Sequence, residues 1–535
     1  MNLPAFSSVT DYVAFHADAS SDVNAISSEK VRLSYSEVAD EVDRYARALQ
    51  GAGVGPGTFV GVLGPSRPEC FIAFLACCRI GAAFAGLNPR HTVRELSVVV
   101  TDCQPTVILC LEGESSDDDL TEKVLALRPA LNAEAVLVSR THRTEGGLVS
   151  LNDFLDEGRH VELTSSTSPD SPAAIVYTSG STGTPKGALL SQRSLVRSAH
   201  LSWEYWYDAP VRPRTVTHHP ISHVGWLVTR SLATFIAGGS INVRERFDPR
   251  EHLRLIEQEK VTVWNLHPSE LVMTMETDVF STCDLSSVEH VAFGTSPSLE
   301  LVNVLQERTD AVISVSYGLT EACGGAVIAT STDPKSVTTT VGRVLPGVEI
   351  RIVTKDGADA ETGTPGELLI RDECVFSGYL NRPEEARSVI DRDGWLHTGD
   401  VVTQASDGSI SLTGRLTEMF KSGGYNIYPS EIEQVLASHP AVWVVAVVAA
   451  PDPRWTQVGV AFVVTKPGDD VGEDDLNEFC RKHLANYKVP KRFEFVPSLP
   501  QLRIAGKIDR LTLRSEAERL VTEASADREA GPLSS

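Results

Sequence analysis

The sequence predicts an α/β protein: a large N-terminal domain of layered, helix-covered sheets carrying a small β subdomain, followed by a separate α+β C-terminal domain. Three observations point there. Strand and helix periods alternate over residues 58–111, the alternation returns after residue 172, and a new pattern begins past Arg415. In chain order, TFVGVLG reads as a buried strand and ECFIAFLACCRIG as an apolar helix ended by Gly81. AAFAGL is strand-like, TVRELSVVVTD helical and TVILCL a strand again, and this rhythm argues for a parallel sheet covered by helices. After the polar boundary TSSTSPDSP (164–172) come a strand, a helix from about Gln192, the strand SINVRE and the helix DPREHLRLIEQEK. The strands VTVWNL, VEHVAFG and AVISVSYG follow. From about 340 to 414 short strands such as VEIRIV and GELLIR alternate with Gly- and Asp-rich turns, which predicts the β subdomain. Past Arg415 a helix SEIEQVLASH, strands VWVVAVVAA and VAFVVT, and a helix EDDLNEFCRKHLAN predict the last domain. The expected boundaries are 1–414, 415–515 and a tail, 516–535, whose low apolar content predicts fraying.

At 535 residues the chain is long enough for three or four folding units of roughly 150 residues each. A hydrophobic share of 42% against 22% charged is that of a globular protein with real cores. Lys and Arg total 48 against 71 Asp and Glu, a net charge of −23, which argues against nucleic acid and anionic membranes as partners. Nine cysteines, without a Cys-x-x-Cys pair, read as reduced thiols of a reducing compartment. The N-terminus has neither a basic start nor a long apolar core, so no signal peptide is expected. FIAFLACC and VWVVAVVAA are too short to span a membrane, and a cytoplasmic location is expected.

The stretch YTSGSTGTPKGALLS (177–191) follows a strand and concentrates glycines and hydroxyls before Lys186. It fails the Walker A pattern, because Lys186 follows Pro185 and precedes Gly187 rather than a hydroxyl residue. The physics of a phosphate cradle survives. Gly180 and Gly183 permit unusual backbone angles, and Thr178, Ser179, Ser181 and Thr182 add donors. A plain Gly/Ser linker rarely follows a buried strand or carries Pro-Lys-Gly.

This loop resembles the phosphate loop of the adenylate-forming superfamily, which includes acyl-CoA synthetases, aryl-CoA ligases, luciferases and adenylation domains. Four further signatures of that family occur in order: YGLTE (317–321), GWLHTGD (394–400), GRLTEMFKSGGYNIYPSEIE (414–433) and LPQLRIAGKIDR (499–510). The resemblance runs from about residue 10 to 515 and is closest to fatty-acid and 4-coumarate-type CoA ligases. It implies ATP, Mg2+ and coenzyme A as cofactors and a C-terminal domain that moves between half-reactions. It also implies roles. The loop and Lys186 hold pyrophosphate, Tyr317 stacks on adenine, Thr320 meets phosphate, and Glu321 is the magnesium carboxylate. Asp400 takes the ribose hydroxyls, Arg415 lies on the ribose or phosphate side, and Lys507 bridges carboxylate and α-phosphate. Gly423 and Gly424 correspond to glycines lining the thiol tunnel. Val315 and Ser316 stand where relatives often have glutamine and glycine, and Thr417 stands where they often have a hinge Asp or Lys.

For the acyl pocket, HHPISHVGW resembles a gating segment and gives His223 and Trp226, while FGTSPS gives Thr295 and Ser296. No ligand spacing marks His223 as a metal residue. Residues 481–510 hold eight Lys or Arg against Glu494 and Asp509, a contrast suited to CoA phosphates or an acidic carrier protein. The expected function is an ATP-dependent carboxylate–CoA ligase for a fatty or aryl/alicyclic acid. A freestanding enzyme that loads an acyl carrier protein uses the same motifs. An inactive nucleotide-binding relative would be expected to have lost at least one of Lys186, Glu321, Asp400, Arg415 and Lys507.

Overall fold

The computed structural model describes residues 4–113, 120–140, 145–165, 167–179, 185–206, 212–331, 334–422, 425–466, 468–469, 471–501 and 508–529. The chain divides into two compact units. One is Met1–Arg351 with Leu369–Thr398 and Gly408–Ile410, and the other is Ile352–Leu368 with Gly399–Asp407 and Ser411–Ser535. The expected β subdomain is present as the short strands Glu349–Val353, Gly366–Arg371, Leu396–Gln404 and Ile410–Arg415, and the division runs within it.

The first unit holds two large sheets. An eight-stranded sheet runs in the order Gly378–Tyr379, Pro185–Ser191, Pro172–Ser179, Ala83–Leu87, Phe59–Leu63, Val107–Cys110, Val136–Ser139, Leu148–Ser150. Its centre is parallel, and the connecting helix Pro68–Ile80 buries eleven of its 13 residues, as an all-round apolar helix must. Gly81 ends that helix at φ 76°, its N–H donating to the carbonyls of Cys77 and Cys78. Helix Val93–Cys103 starts on a Thr92/Glu95 capping box.

The nine-stranded sheet runs Arg343–Val344, Gly324–Ser331, Val312–Leu319, His290–Phe293, Val263–Leu266, Arg214–Thr217, Ser240–Val243, Asn24–Ser27, Arg32–Ser34. Val263–Leu266 and His290–Phe293 are buried at all four positions, the mark of central parallel strands. Leu266 is level with Phe293, and Phe293 with Val315, so these strands end along one edge. Val312–Leu319 then turns back antiparallel onto Gly324–Ser331. A Cβ on Gly318 would lie 1.7 Å from the Gly324 carbonyl oxygen, so the glycine of YGLTE is required by that hairpin.

In the second unit, Tyr425–Ile427, Phe420–Ser422, Thr456–Thr465 and Val442–Asp452 form a sheet in that order, with Arg492–Phe495 beside Thr456–Thr465. Helices Pro429–Ala437 and Glu473–His483 bury Ile432, Leu436, Leu476 and Cys480 in one core. Leu513 and Ala517 of helix Arg510–Glu529 enter another. The stretch expected to fray from 516 is therefore helical up to Glu529. Ala517 is fully buried, and Leu520 and Val521 pack partly against the same cluster, which the stretch's low average hydrophobicity concealed. Among the described residues no helix is long and apolar enough to cross a membrane. All nine cysteines are buried and free.

Candidate active site

Strands Pro172–Ser179 and Pro185–Ser191 form the two sides of the phosphate-loop hairpin, with Thr178 opposite Lys186 and Ser179 opposite Pro185. Thr178 Oγ1 reaches the Lys186 carbonyl at 3.5 Å. Gly180, Ser181, Thr182 and Gly183, at the turn itself, lie outside the described residues. Below the turn, the Tyr177 hydroxyl donates to Asp102 at 2.9 Å.

A short third strand links this hairpin to YGLTE. Tyr379 pairs with Ala188, the Ser377 N–H donates to the Leu189 carbonyl at 2.9 Å and the Leu380 N–H to that of Gly187 at 2.8 Å. From this strand the Tyr379 hydroxyl donates to Glu321 Oε1 at 2.7 Å, and the Phe376 N–H donates to the Glu321 carbonyl at 2.8 Å. Lys186 Nζ stands 5.5 Å over the Tyr379 ring and is ion-paired with Glu385. Burial, and after it the Glu321 charge, pushes the Tyr379 phenol up, so the phenol stays a proton donor to the carboxylate. The hydrogen bond from Lys186 holds the Glu385 carboxyl below its ordinary value. The fold thus brings Lys186 and Glu321 together through Tyr379 and Glu385. Neither of those two was marked by the sequence reading, although both stand in the run GYLNRPEEARS.

Tyr317 is buried near the end of its strand, with Thr320 and Glu321 half-buried in the turn that follows. Thr295 and Ser296 are exposed beyond the neighbouring strand His290–Phe293. His223 is exposed and accepts the Gly225 N–H on Nδ1 at 3.0 Å. Trp226 behaves differently from its expected place on a pocket wall. It is fully buried at the start of the π-helix Gly225–Leu232 and meets Phe71 edge-on at 6.2 Å, so it is a core residue behind that wall.

Around His223 lies a histidine cluster whose members come from distant segments. His218 Nε2 is 2.7 Å from Glu270 Oε1, and the His219 ring lies 4.6 Å from His218 and 5.5 Å from His267. Burial works against charge on Glu270, but the hydrogen bond and charge of His218 and the His267 N–H hold its carboxyl at about 2. Burial, then Arg230 and the surrounding imidazoles, drives His219 well below its ordinary value. His218, His219 and Glu270 have ligand atoms within 4.8 Å of one another, a donor set zinc would accept. The guanidinium of Arg230, whose charge already bears on His219, opposes a cation there.

In the second unit Asp400 is 3% exposed and accepts a hydrogen bond from Arg415 Nε at 2.8 Å. Arg415 itself is half exposed, and the Leu416 N–H donates to the Gly399 carbonyl at 2.8 Å. Gly423, Gly424 and Lys507 lie outside the described residues. Several cations of the basic 481–510 segment are neutralised locally. Lys482 pairs with Glu478, Lys488 with Glu431, Arg492 with Glu494, and Arg510 with Glu433 at 2.7 Å. The positive contrast seen along the sequence is correspondingly weaker on the folded unit.

This architecture is that of adenylate-forming enzymes. The structure matches the amide bond synthetase McbA of Marinactinospora thermotolerans with a TM-score of 0.83, at 28% identity over 95% of this chain and 99% of that one. It matches ATP-bound MatB of Rhodopseudomonas palustris with a TM-score of 0.84, at 25% identity over 96% and 99%. The AMP-binding enzyme model matches residues 13–380 and the AMP-binding enzyme C-terminal domain model residues 431–506. The chain belongs to the AMP-binding enzyme family. It is 33% identical to the indoleacetate–CoA ligase of Aromatoleum aromaticum, over 96% of this chain and 98% of that protein. It is equally similar, at 33% over 92% and 96%, to a methyl-dioxo-octahydroindenyl-propanoyl:CoA ligase of Rhodococcus jostii. The fatty acid–[acyl-carrier-protein] ligase ScoC of Streptomyces coeruleorubidus is 30% identical over 96% of both chains.

Proposed function

We propose that the chain is an ATP-dependent carboxylate–CoA ligase working in two steps. A carboxylate oxygen attacks the α-phosphorus of ATP, forming acyl-AMP and releasing pyrophosphate. The CoA thiol then loses its proton to solvent and attacks the acyl carbon, and AMP departs with the bonding electrons. Both partners of the first step are anions, so catalysis rests on cations and dipoles fixed beside them.

The observation that carries this reading is the cluster of Lys186, Tyr379, Glu321 and Glu385 beside the phosphate-loop hairpin. In this reading Lys186 and the loop Thr178–Gly183 receive the departing pyrophosphate. Tyr317 stacks on adenine, Thr320 contacts phosphate, and Asp400 and Arg415 take the ribose side. Lys507 bridges the carboxylate and the α-phosphate, and Gly423 and Gly424 line the thiol path. A carboxylate steadied by a phenol and followed from a hydroxyl residue is a hard-oxygen set suited to Mg2+, and Glu321 with Thr320 fits it. Bound there, the ion would offset polyphosphate charge. The mobile part is residues 415–515, with the pivot near Thr417. Nine buried, free cysteines support a reducing, cytoplasmic setting.

Two of the similar ligases act on ring-bearing acids, which favours an aryl or alicyclic acid here, received near His223, Thr295 and Ser296. The likeness to ScoC favours a carrier-protein thiol as the second reading. AMP and pyrophosphate release, measured across fatty, aryl, alicyclic and amino acids with and without CoA, tests both. Turnover that needs one acid class and CoA is expected. Acid-dependent pyrophosphate exchange that CoA leaves unchanged favours the carrier protein, and no acid-dependent exchange at all refutes the ligase reading.

A further inference from the structure

The parallel strands Arg214–Thr217, Val263–Leu266 and His290–Phe293 are neighbours in the nine-stranded sheet, and they are followed at once by His218, His267 and Gly294. Val312–Leu319, which leads into Thr320 and Glu321, is the next strand along. Ligands of open α/β sheets bind at this carboxyl edge. At ~4.8 Å per strand, His218 and His219 stand three spacings, about 14 Å, from the strand that leads to the adenylation residues.

His219 is 7% exposed, and neither of its ring nitrogens has a hydrogen-bond partner among the described residues. Its neighbour His218 likewise leaves Nδ1 buried and without a partner among the described residues. Buried polar groups are nearly always satisfied, so three such atoms on adjacent residues at a ligand edge call for a ligand. Their chemistry narrows its class. Glu270 is ionised at ordinary pH and only accepts, so His218 Nε2 donates to it and His218 Nδ1 is left facing the site. His219 is held neutral and offers one N–H and one lone pair. A donor and an acceptor on one buried ring suit a group that both gives and takes a hydrogen bond. A carboxylate is disfavoured by the nearby Glu270 charge, and a cation by Arg230.

We propose that His218 and His219 form a recognition site for a hydroxyl group at the end of the acid remote from its carboxyl, which makes the substrate a hydroxylated acid. The hydroxyl lies between His218 Nδ1 and the His219 ring, and it both gives and takes a hydrogen bond there. The proposal rests on the ligase reading above, because it takes the bound molecule to be that enzyme's acid.

The test is calorimetric binding of matched acids to the full chain. Medium-chain fatty, phenylpropanoic and cyclohexane-carboxylic acids are each compared with the counterpart hydroxylated at the far end. At least one hydroxylated acid is expected to bind about 10- to 100-fold more tightly than its partner, the range expected when removing the hydroxyl leaves buried groups unpaired. His219→Phe is expected to abolish that preference, while His219→Gln, which keeps a donor and an acceptor, retains most of it. Equal binding within every pair, no binding of any acid, or a preference that survives in a folded His219→Phe variant overturns the proposal. The ligase reading stands or falls separately, on whether a bound acid drives pyrophosphate release.

Discussion

Lys186 pairs with Glu385, so any phosphate it serves must compete with that carboxylate. Replacing Glu385 by Gln is expected to lower the KM for ATP by about two- to fivefold with little change in kcat, since a partly exposed pair contributes modestly. Steady-state kinetics in ATP decides it, and an unchanged KM would mean the pair does not compete. Lys507→Ala is expected to slow acyl-AMP formation by about 10²–10³-fold, the effect of removing one charge-stabilising donor. Thioester formation from supplied acyl-AMP should be much less affected, and an equal loss in both steps would falsify the bridging role. Lys186 and Glu321 were legible in the sequence because each sits in a compact motif. Tyr379 was not, because its link to Glu321 spans 58 residues and exists only through strand pairing. The His218–Glu270 contact was hidden for the same reason.

Strands and helices were read well wherever period and punctuation agreed, as in the helix ended by Gly81 and the strand entering the phosphate loop. Averages misled where a few positions decide the packing. The final helix is polar overall yet anchors through Leu513 and Ala517. The basic 481–510 segment is partly neutralised by Glu431, Glu433 and Glu478, acids that precede it in the chain. The hairpin after Tyr317 has no such slack. Gly318→Ala sets a Cβ against the Gly324 carbonyl, and forcing the strands apart is expected to destabilise the first unit by about 1–3 kcal/mol. Thermal unfolding followed by circular dichroism measures it, and a melting temperature equal to wild type would show that the hairpin can open there without penalty.

The molecule as a whole carries a pH dependence set by its buried imidazoles. Burial lowers His219 and takes His252 to about 3. In the unfolded chain they bind protons near pH 6.5, so their contribution to stability is complete above that value. It falls by about 1.4 kcal/mol per pH unit for each group as the solution is acidified below it. Glu270 adds a second loss, between about pH 4.5 and its folded value of about 2. The melting temperature is therefore expected to be lower near pH 5 than near pH 7.5, and His252→Gln should flatten the decline. A curve that rises on acidification contradicts the buried neutral state. The sequence was informative at this scale about the fold class and the family, through five ordered motifs, and silent about how polar groups meet across a sheet edge. The cysteines have a practical consequence. All nine are enclosed, and burial shifts the Cys70 and Cys77 thiols toward the unreactive protonated form. A maleimide dye added to the folded chain should find no native target, so one cysteine introduced on the surface of each unit gives a two-colour fluorescence ruler for watching the units during turnover.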